Sequence, residues 1–302
     1  MPLALIVHGG AGMIALDLQD TARAGCAAAA SRGWATLLAG GSALDAVTVA
    51  VMALEDNPAF NAGTGAVLTR DGTAELDAGI MEGATLEVGA VAGVRRIKNP
   101  ILLARAVLAS PQVLLSGAGA EEFAESQGIA FCDPAVLVTT QQRARWQTAL
   151  REGDRGDARA HLTDPNAKHG TVGAVALDAA GHIVAASSTG GVMLKPTGRV
   201  GDTPVPGAGF YAEDGIGGVA CTGHGEDFLR LVIARRAIEI LANGKPAQIA
   251  ADETIALLGS RIAGAGGMIM IDALGRVGFA CNTTNMAYAY LRDGQDTPIA
   301  GV

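Results

Sequence analysis

The run Lys168-His169-Gly170-Thr171-Val172-Gly173-Ala174-Val175-Ala176-Leu177-Asp178 decides how this chain is read. Upstream, Glu152 to Lys168 is charged, carries Asp154-Arg155-Gly156-Asp157, and lacks hydrophobic periodicity, so it reads as a mobile connector. Downstream, Thr171 to Leu177 is a short apolar run that reads as a fully buried strand. Gly170-Thr171 is therefore the junction between a flexible and a rigid segment. A threonine hydroxyl is a weak nucleophile and needs a base. Were the peptide bond before Thr171 cut, that residue would carry its own α-amine. With an ordinary pKa of about 7.7–8.0, the amine could accept the hydroxyl proton near neutral pH. Gly170 suits such a cut because glycine tolerates unusual backbone angles and leaves its carbonyl open to attack. The same residues also fit a β-branched threonine that simply opens a core strand. The run alone leaves both readings open.

The rest of the 302 residues bounds the choice. Hydrophobic residues make up 49%, enough for one large buried core, while aromatics are only 4%, so that core is built of Ala, Val, Leu and Ile. The 42 glycines show no collagen period and imply many tight turns. A net charge of −8 argues against nucleic acid or an anionic membrane as the main partner. Cys26, Cys132, Cys221 and Cys281 lie far apart with no CxxC, which suggests reduced, buried thiols in a cytosol rather than zinc ligands or a disulfide framework. Met1 to Val7 lacks the basic start and cleavage site of a signal peptide, and no apolar stretch reads as a membrane span.

Working outward, Leu3 to Val7 reads as a strand entering a glycine-rich turn, His8-Gly9-Gly10-Ala11-Gly12. That turn has neither the lysine of a phosphate loop nor a partnering G-x-S-x-G, and His8 reads as a packed residue, since no second histidine stands at ligand spacing. Thr21 to Leu38 and Ala43 to Leu54 read as helices, the second capped by Ser42 with Asp45 three residues on. Leu54 to Gly65 is an irregular loop whose carbonyls could ring a hard cation or simply face water. Ala66 to Arg70 and Thr73 to Leu76 flank an Asp71-Gly72 hairpin signal, and Asp77 to Met81 and Val88 to Val94 read as strands. Helices are expected over Ile101 to Leu108, Glu121 to Gln127, Pro134 to Arg151, Glu226 to Asn243 and Pro246 to Leu258. Hairpins are expected from Thr171 to Leu177 with Ile183 to Ser188, and from Met268 to Ile271 with Val277 to Cys281; Val219 to Thr222 is a short strand. Two β-sheets stacked between helical layers would account for this order.

Three polar segments set among glycines complete the picture: Ser187-Ser188-Thr189-Gly190-Gly191, Gly198-Arg199-Val200-Gly201-Asp202 and Thr222-Gly223-His224-Gly225-Glu226. Arg next to Asp in a glycine-rich turn fits an amino acid, with Arg199 forking onto an α-carboxylate and Asp202 holding an α-ammonium. Thr222 and the Gly223 N–H could donate to an oxyanion. An ion pair that stiffens a surface loop is the alternative.

Taken together, these segments resemble the plant-type asparaginase and isoaspartyl peptidase family of N-terminal-nucleophile hydrolases. The resemblance spans nearly the whole chain. It rests on His8-Gly9-Gly10-Ala11-Gly12, Phe60-Asn61-Ala62-Gly63, Glu75-Leu76-Asp77-Ala78, Gly170 to Ala176, Ser188-Thr189-Gly190-Gly191, the Arg199 and Thr222 segments, and Gly266-Gly267, in that order. It implies an α+β fold, a four-layer αββα sandwich, made as one joint domain from an α chain of residues 1–170 and a β chain of residues 171–302. It implies Thr171 as nucleophile and base, with Thr189 tuning its hydroxyl and Thr222 and Gly223 as the oxyanion hole. Arg199, Asp202 and Gly225 would hold the substrate, and Asn61 would assist cleavage between Gly170 and Thr171. The loop matches the family's sodium site, with carbonyl ligands from Leu54, Glu55, Asn57, Phe60, Ala62 and Thr64, and no organic cofactor is implied. Substrates would be L-asparagine and β-aspartyl dipeptides, and the assembly a dimer of αβ units. Gly170 stands where glycosylasparaginases usually carry Asp, which favours the isoaspartyl branch over that runner-up. An uncleaved amino-acid-binding protein on the same fold is the reading from another class. Two departures bear on the pocket: Thr197 stands where the family commonly has Pro, and Asn285 where bacterial relatives often have Gly.

Overall fold

The computed structural model describes residues 1–154, 156, 162 and 170–302. Before the junction lie β1 (Ala4–Gly12), α1 (Leu16–Leu38), α2 (Ala43–Glu55), β2 (Leu76–Glu82), β3 (Val88–Val94), α3 (Pro100–Leu108), β4 (Leu114–Ser116), α4 (Gly117–Ser126) and α5 (Thr140–Arg151). After it come β5 (Val172–Leu177), β6 (Ile183–Thr189), β7 (Phe210–Glu213), β8 (Gly217–Gly223), α6 (Gly225–Leu231), α7 (Ile233–Ala242), α8 (Ala247–Ile262), β9 (Gly266–Asp272), β10 (Val277–Cys281), β11 (Asn285–Arg292) and β12 (Ile299–Gly301). The strands form an eight-stranded sheet, β12-β11-β1-β5-β6-β2-β3-β4, and a four-stranded sheet, β10-β9-β8-β7.

Strand alternation sorts the side chains into three seams, and the seams define four layers. Leu5, Val7, Val172, Ala174 and Ala176 point to one face of the large sheet, where α1, α2 and α3 cover them with Cys26, Trp34, Val47, Val51, Leu54 and Ile101. The intervening residues Ala4, Ile6, Val175, Leu177, Ile183 and Ala185 meet Phe210, Ala220, Ile269 and Ile271 of the small sheet. On the small sheet's far face, Val219, Cys221, Met268 and Met270 are covered by Phe228, Ile233, Ile238 and Leu258 of α6, α7 and α8. The result is the αββα sandwich expected from sequence. Each fully buried Val, Leu or Ile in these seams contributes about 1.5–3 kcal/mol. The two sheets approach closely at Gly79, where a Cβ would lie 2.2 Å from the Phe210 ring.

Local details depart from the sequence reading for identifiable reasons. His8-Gly9-Gly10-Ala11-Gly12 is not a turn but the continuation of β1. One extra residue bulges out between His8 and Ala11, with Gly10 at φ +105°, and pairing to β11 then resumes at Ala11↔Met286. Ala66 to Leu76 does not form the hairpin: the turn closes through Thr69 and Thr73, but strand β2 begins only at Leu76. Pro134 to Arg151 divides into a short 3-10 turn, Pro134–Leu137, and α5, because Thr139 caps the Gln142 N–H and starts a new helix. Glu226 to Asn243 breaks at Val232, which adopts left-handed angles between α6 and α7. Ser42 caps α2 through Asp45 as expected. The connector Glu152 to Lys168 lies largely outside the described residues.

Candidate active site

Parity along the strands brings the candidate residues to one place. Thr171 and Thr189 each stand one residue beyond the pair Val172↔Ser188 that ends the ladder between β5 and β6. Both share the odd-numbered face of Val175 and Ile183, the face turned toward the small sheet. Thr222 near the end of β8 has the parity of Ala220, which faces back across the same seam. The two sheets therefore deliver threonines from opposite sides to the end of the inter-sheet seam.

A cavity of about 40 Å³ opens there, walled by Ala11, Leu162, Gly170, Thr171, Thr189, Gly191, Arg199, Gly201, Asp202, Thr203, Gly223 and Gly225 among others. Gly170 has φ +97°, and a Cβ on it would lie 2.1 Å from the Gly10 Cα of the β1 bulge. Only glycine fits this position, for both torsional and steric reasons. Thr171 is 7% exposed, and its hydroxyl lies 3.1 Å from that of Thr203. Thr189 lines the same wall, with its hydroxyl accepting the Gly191 N–H at 3.0 Å. Thr222 is fully buried behind the wall, and its hydroxyl accepts the Ala11 N–H at 3.2 Å, which leaves its own proton free to be donated. Asn61 ties the preceding loop to the wall: its amide donates to the Gly191 carbonyl at 2.7 Å and accepts the Val67 N–H at 2.9 Å.

Arg199 and Asp202 face the cavity together, and a Cβ on Gly225 would touch both side chains. Arg199 presents Nε and Nη2 to the two carboxylate oxygens of Glu226 at 2.9 and 2.7 Å. Burial pushes the Glu226 carboxyl up, but the guanidinium outweighs it and holds the pKa below the ordinary range. Asp202 is 3% exposed, and its Oδ2 has no hydrogen-bond partner among the described residues. Burial lifts its pKa to about 7, against the pull of Arg199. A buried carboxylate oxygen with nothing to bind is poised for a cation. His8 is fully buried beside the nucleophile; neither ring nitrogen has a hydrogen bond of ordinary geometry among the described residues, although the Thr171 backbone lies close enough to pull the pKa upward. Burial dominates and drives the pKa down to about 3, so the ring is neutral at working pH.

The loop Leu54 to Thr64 packs beside this site. The Glu55 and Asn57 carbonyls accept the N–H groups of Thr64 and Phe60 within the loop, leaving each a second lone pair, while the Leu54 carbonyl already takes the N–H groups of both Asp56 and Asn57. The Glu55 carboxyl is buried, takes the Ser188 hydroxyl at 2.7 Å and the Ile101 N–H at 3.0 Å, and is pushed by burial to about 8. Phe60 and Ala62 are buried, Asn57 and Thr64 half-buried. Among the described residues no group of three or more His, Cys, Asp and Glu could hold a metal.

Two residues of the site carry no signal of their own in the sequence. Thr203 follows Asp202 outside the glycine-rich run, and Glu226 ends a quoted segment but gives no sign of pairing with Arg199 across 27 positions. Of the two departures, Thr197 donates its hydroxyl to Asp71 Oδ2 at 2.6 Å, a tether in place of proline's rigidity. Asn285 is not in the cavity wall; its side chain accepts the Ile14 N–H at 3.0 Å.

A family model described as Asparaginase matches residues 1–300. The chain is 45% identical to the plant-type L-asparaginase of Pyrococcus abyssi, with 99% of this chain and 100% of that protein covered. It is 43% and 42% identical to the isoaspartyl peptidase/L-asparaginase of Macaca fascicularis and of Homo sapiens, each with 97% of this chain and 94% of the relative covered. With the sandwich, the Gly-Thr junction and matches of this extent in agreement, the chain belongs to the asparaginase family that these relatives represent.

Proposed function

We propose that this chain is a hydrolase that activates itself by cleavage, converts L-asparagine to aspartate and ammonia, and hydrolyses β-aspartyl dipeptides through a threonyl acyl-enzyme. The observation that carries the reading is a single cavity lined by a Gly-Thr junction and by the half-buried Arg199 beside the buried Asp202. Relatives named for both activities support the two substrates.

In activation the Thr171 hydroxyl attacks the Gly170 carbonyl, the C–N bond breaks, and water hydrolyses the resulting ester. Residues 1–170 then end in a carboxylate, and residues 171–302 begin with an amine. Asn61 steadies Gly191 beside the junction. Leu162, from the segment before the cut, forms part of the cavity wall, so scission would also free space for substrate.

In turnover Arg199 takes the substrate α-carboxylate and Asp202 the α-ammonium, with Gly225 leaving room between them. The Thr171 amine accepts the hydroxyl proton as oxygen attacks the side-chain carbonyl. Thr222 and the Gly223 N–H stabilise the oxyanion. The proton passes to the leaving ammonia or amino acid, and water then releases aspartate. Thr189 and Thr203 orient the nucleophile from either side. A sodium ion held by the carbonyls of Leu54, Glu55, Asn57, Phe60, Ala62 and Thr64 would pin the loop, a donor set of hard oxygens that suits it. A dimer of αβ units, working in a cytoplasm that keeps the four free thiols reduced, completes the proposal; only Cys26 and Cys221 are buried as expected, while Cys132 is half-buried and Cys281 exposed. Among the described residues no helix is long and apolar enough to cross a membrane.

The test is a denaturing gel and N-terminal sequencing. The wild type should give two fragments, one starting at Thr171, and Thr171→Ala should give one. A wild type that is a single chain yet fully active refutes the mechanism. Aspartate binding with neither turnover nor cleavage would make the protein a binder.

A further inference from the structure

We propose that Glu75 and Lys195 are positioning residues for substrate recognition: they form a buried brace that fixes the Arg199 turn and so sets how strongly the enzyme demands an α-carboxylate. The inference rests on Arg199 being the carboxylate clamp. Lys195 is a long cationic side chain with 0% exposure, and its Nζ donates to the Glu75 carbonyl at 3.0 Å. Its stem lies directly beneath the cavity wall, since a Cβ on Gly191 would sit 2.8 Å from both Cδ and Nζ. Glu75 is 3% exposed and joins three elements. Its Oε1 accepts Arg95 Nε and Nη2 at 3.1 and 2.6 Å, and its Oε2 accepts the Gly198 N–H, the residue before Arg199, at 2.9 Å. The turn is closed further by the Arg199 N–H on the Pro196 carbonyl at 3.0 Å.

Burying a lysine and a glutamate without gain would be costly, and apolar residues of similar volume usually serve stability as well or better. What this arrangement supplies instead is geometry. The Gly198 amide is held from behind, and Arg199 is held from the front by Glu226, so the guanidinium enters the cavity from one fixed direction. Neither Glu75 nor Lys195 lines the catalytic cavity. Their effect must pass through the turn. A loosened Gly198 anchor should weaken chiefly the interaction that Arg199 makes, since Asp202, further along the turn, is held separately by the Val205 N–H on its carbonyl at 2.9 Å.

The experiment compares L-asparagine with 3-aminopropanamide, which keeps the ammonium and the amide but lacks the α-carboxylate. The ratio of their kcat/KM values measures the clamp. Arg199→Ala should collapse this ratio. Glu75→Gln should lower it about tenfold, mainly through a raised KM for L-asparagine, with kcat within about twofold. Arg95→Met, a change at a half-exposed residue that frees one side of Glu75, should lower the ratio less and carries the test if Glu75→Gln does not fold. Equal losses on both substrates, or an unchanged ratio in the Glu75 and Arg95 variants while Arg199→Ala collapses it, would overturn the positioning role alone. An unchanged ratio in Arg199→Ala would overturn the clamp, and the proposal with it.

Discussion

Asp202 offers a quantitative test of the binding site. Burial raises its carboxyl from 3.8 to about 7. At about 1.36 kcal/mol per pH unit, ionising it in the empty site costs about 4 kcal/mol more than ionising a solvated aspartic acid. Only the carboxylate can pair with a substrate ammonium, and only the neutral Thr171 amine can act as base. Two protons must therefore leave the free enzyme, so log kcat/KM should climb with a slope of two below about pH 6.5 and flatten above 8. Asp202→Asn should retain only the amine, giving a slope of one. Its kcat/KM at pH 8 should drop by about 10²–10³, as expected for truncating one side of a buried charge pair. Stability moves in the opposite sense. Because the folded-state pKa is raised, the folded protein holds a proton that the unfolded chain releases between about pH 4 and 7. Stability is full below that window, falls as pH rises through it, and levels off above 7, by up to about 4 kcal/mol. Asp202→Asn should lack this fall. The assays are pH–rate profiles on L-asparagine and urea melts of both proteins at pH 5 and 8. An asparagine variant that keeps the slope of two, or matches the wild type's loss of stability between those pH values, refutes the assignment.

Other outcomes can be checked alongside. Thr203→Val removes the hydroxyl partner of Thr171 and should lower kcat about threefold to tenfold, the value of one hydrogen bond of about 0.5–1.5 kcal/mol, with KM little changed. Gly170→Ala places a methyl against Gly10 at a positive φ; fragment formation followed on a gel should slow at least about tenfold, and processing at the wild-type rate would show the strain is unimportant. Gly79→Ala drives a methyl into the Phe210 ring and should cost about 1–3 kcal/mol in a urea melt, recovered in part by Phe210→Leu. Replacing sodium with a large organic cation should lower Tm if the carbonyl loop holds that ion, and an unchanged Tm argues against it.

Strand content was legible wherever a short, continuous apolar run stood between turn residues, as in Val172 to Leu177 and Met268 to Ile271. It failed where tertiary contacts decide. Val232 breaks a helix that the pattern runs straight through, because Arg235 N–H turns to the Gly207 carbonyl in another segment. The Asp71-Gly72 turn forms, but its flanks bond to Leu194 and Lys195 rather than to each other along their length. In the site, the residues set among glycines could be picked from the chain because their spacing is local. Thr203 and Glu226 could not, since each matters through one partner, Thr171 and Arg199, that lies 32 and 27 positions away. The same holds for Lys195, whose sequence context does not mark it as buried.

The order of the large sheet would matter to a chain cut at Gly170-Thr171. β1 lies between β11 and β5, and β2 lies beside β6, so strands from before Gly170 are interleaved with strands from after it. A nick at the junction would leave two polypeptides laced through three ladders, unable to part without losing the sheet. Their unfolding would become a dissociation, and recovery from denaturant a second-order search between strangers. Maturation on such a scaffold would be a one-way step: the chain would fold once as a single molecule and afterwards depend on never letting go.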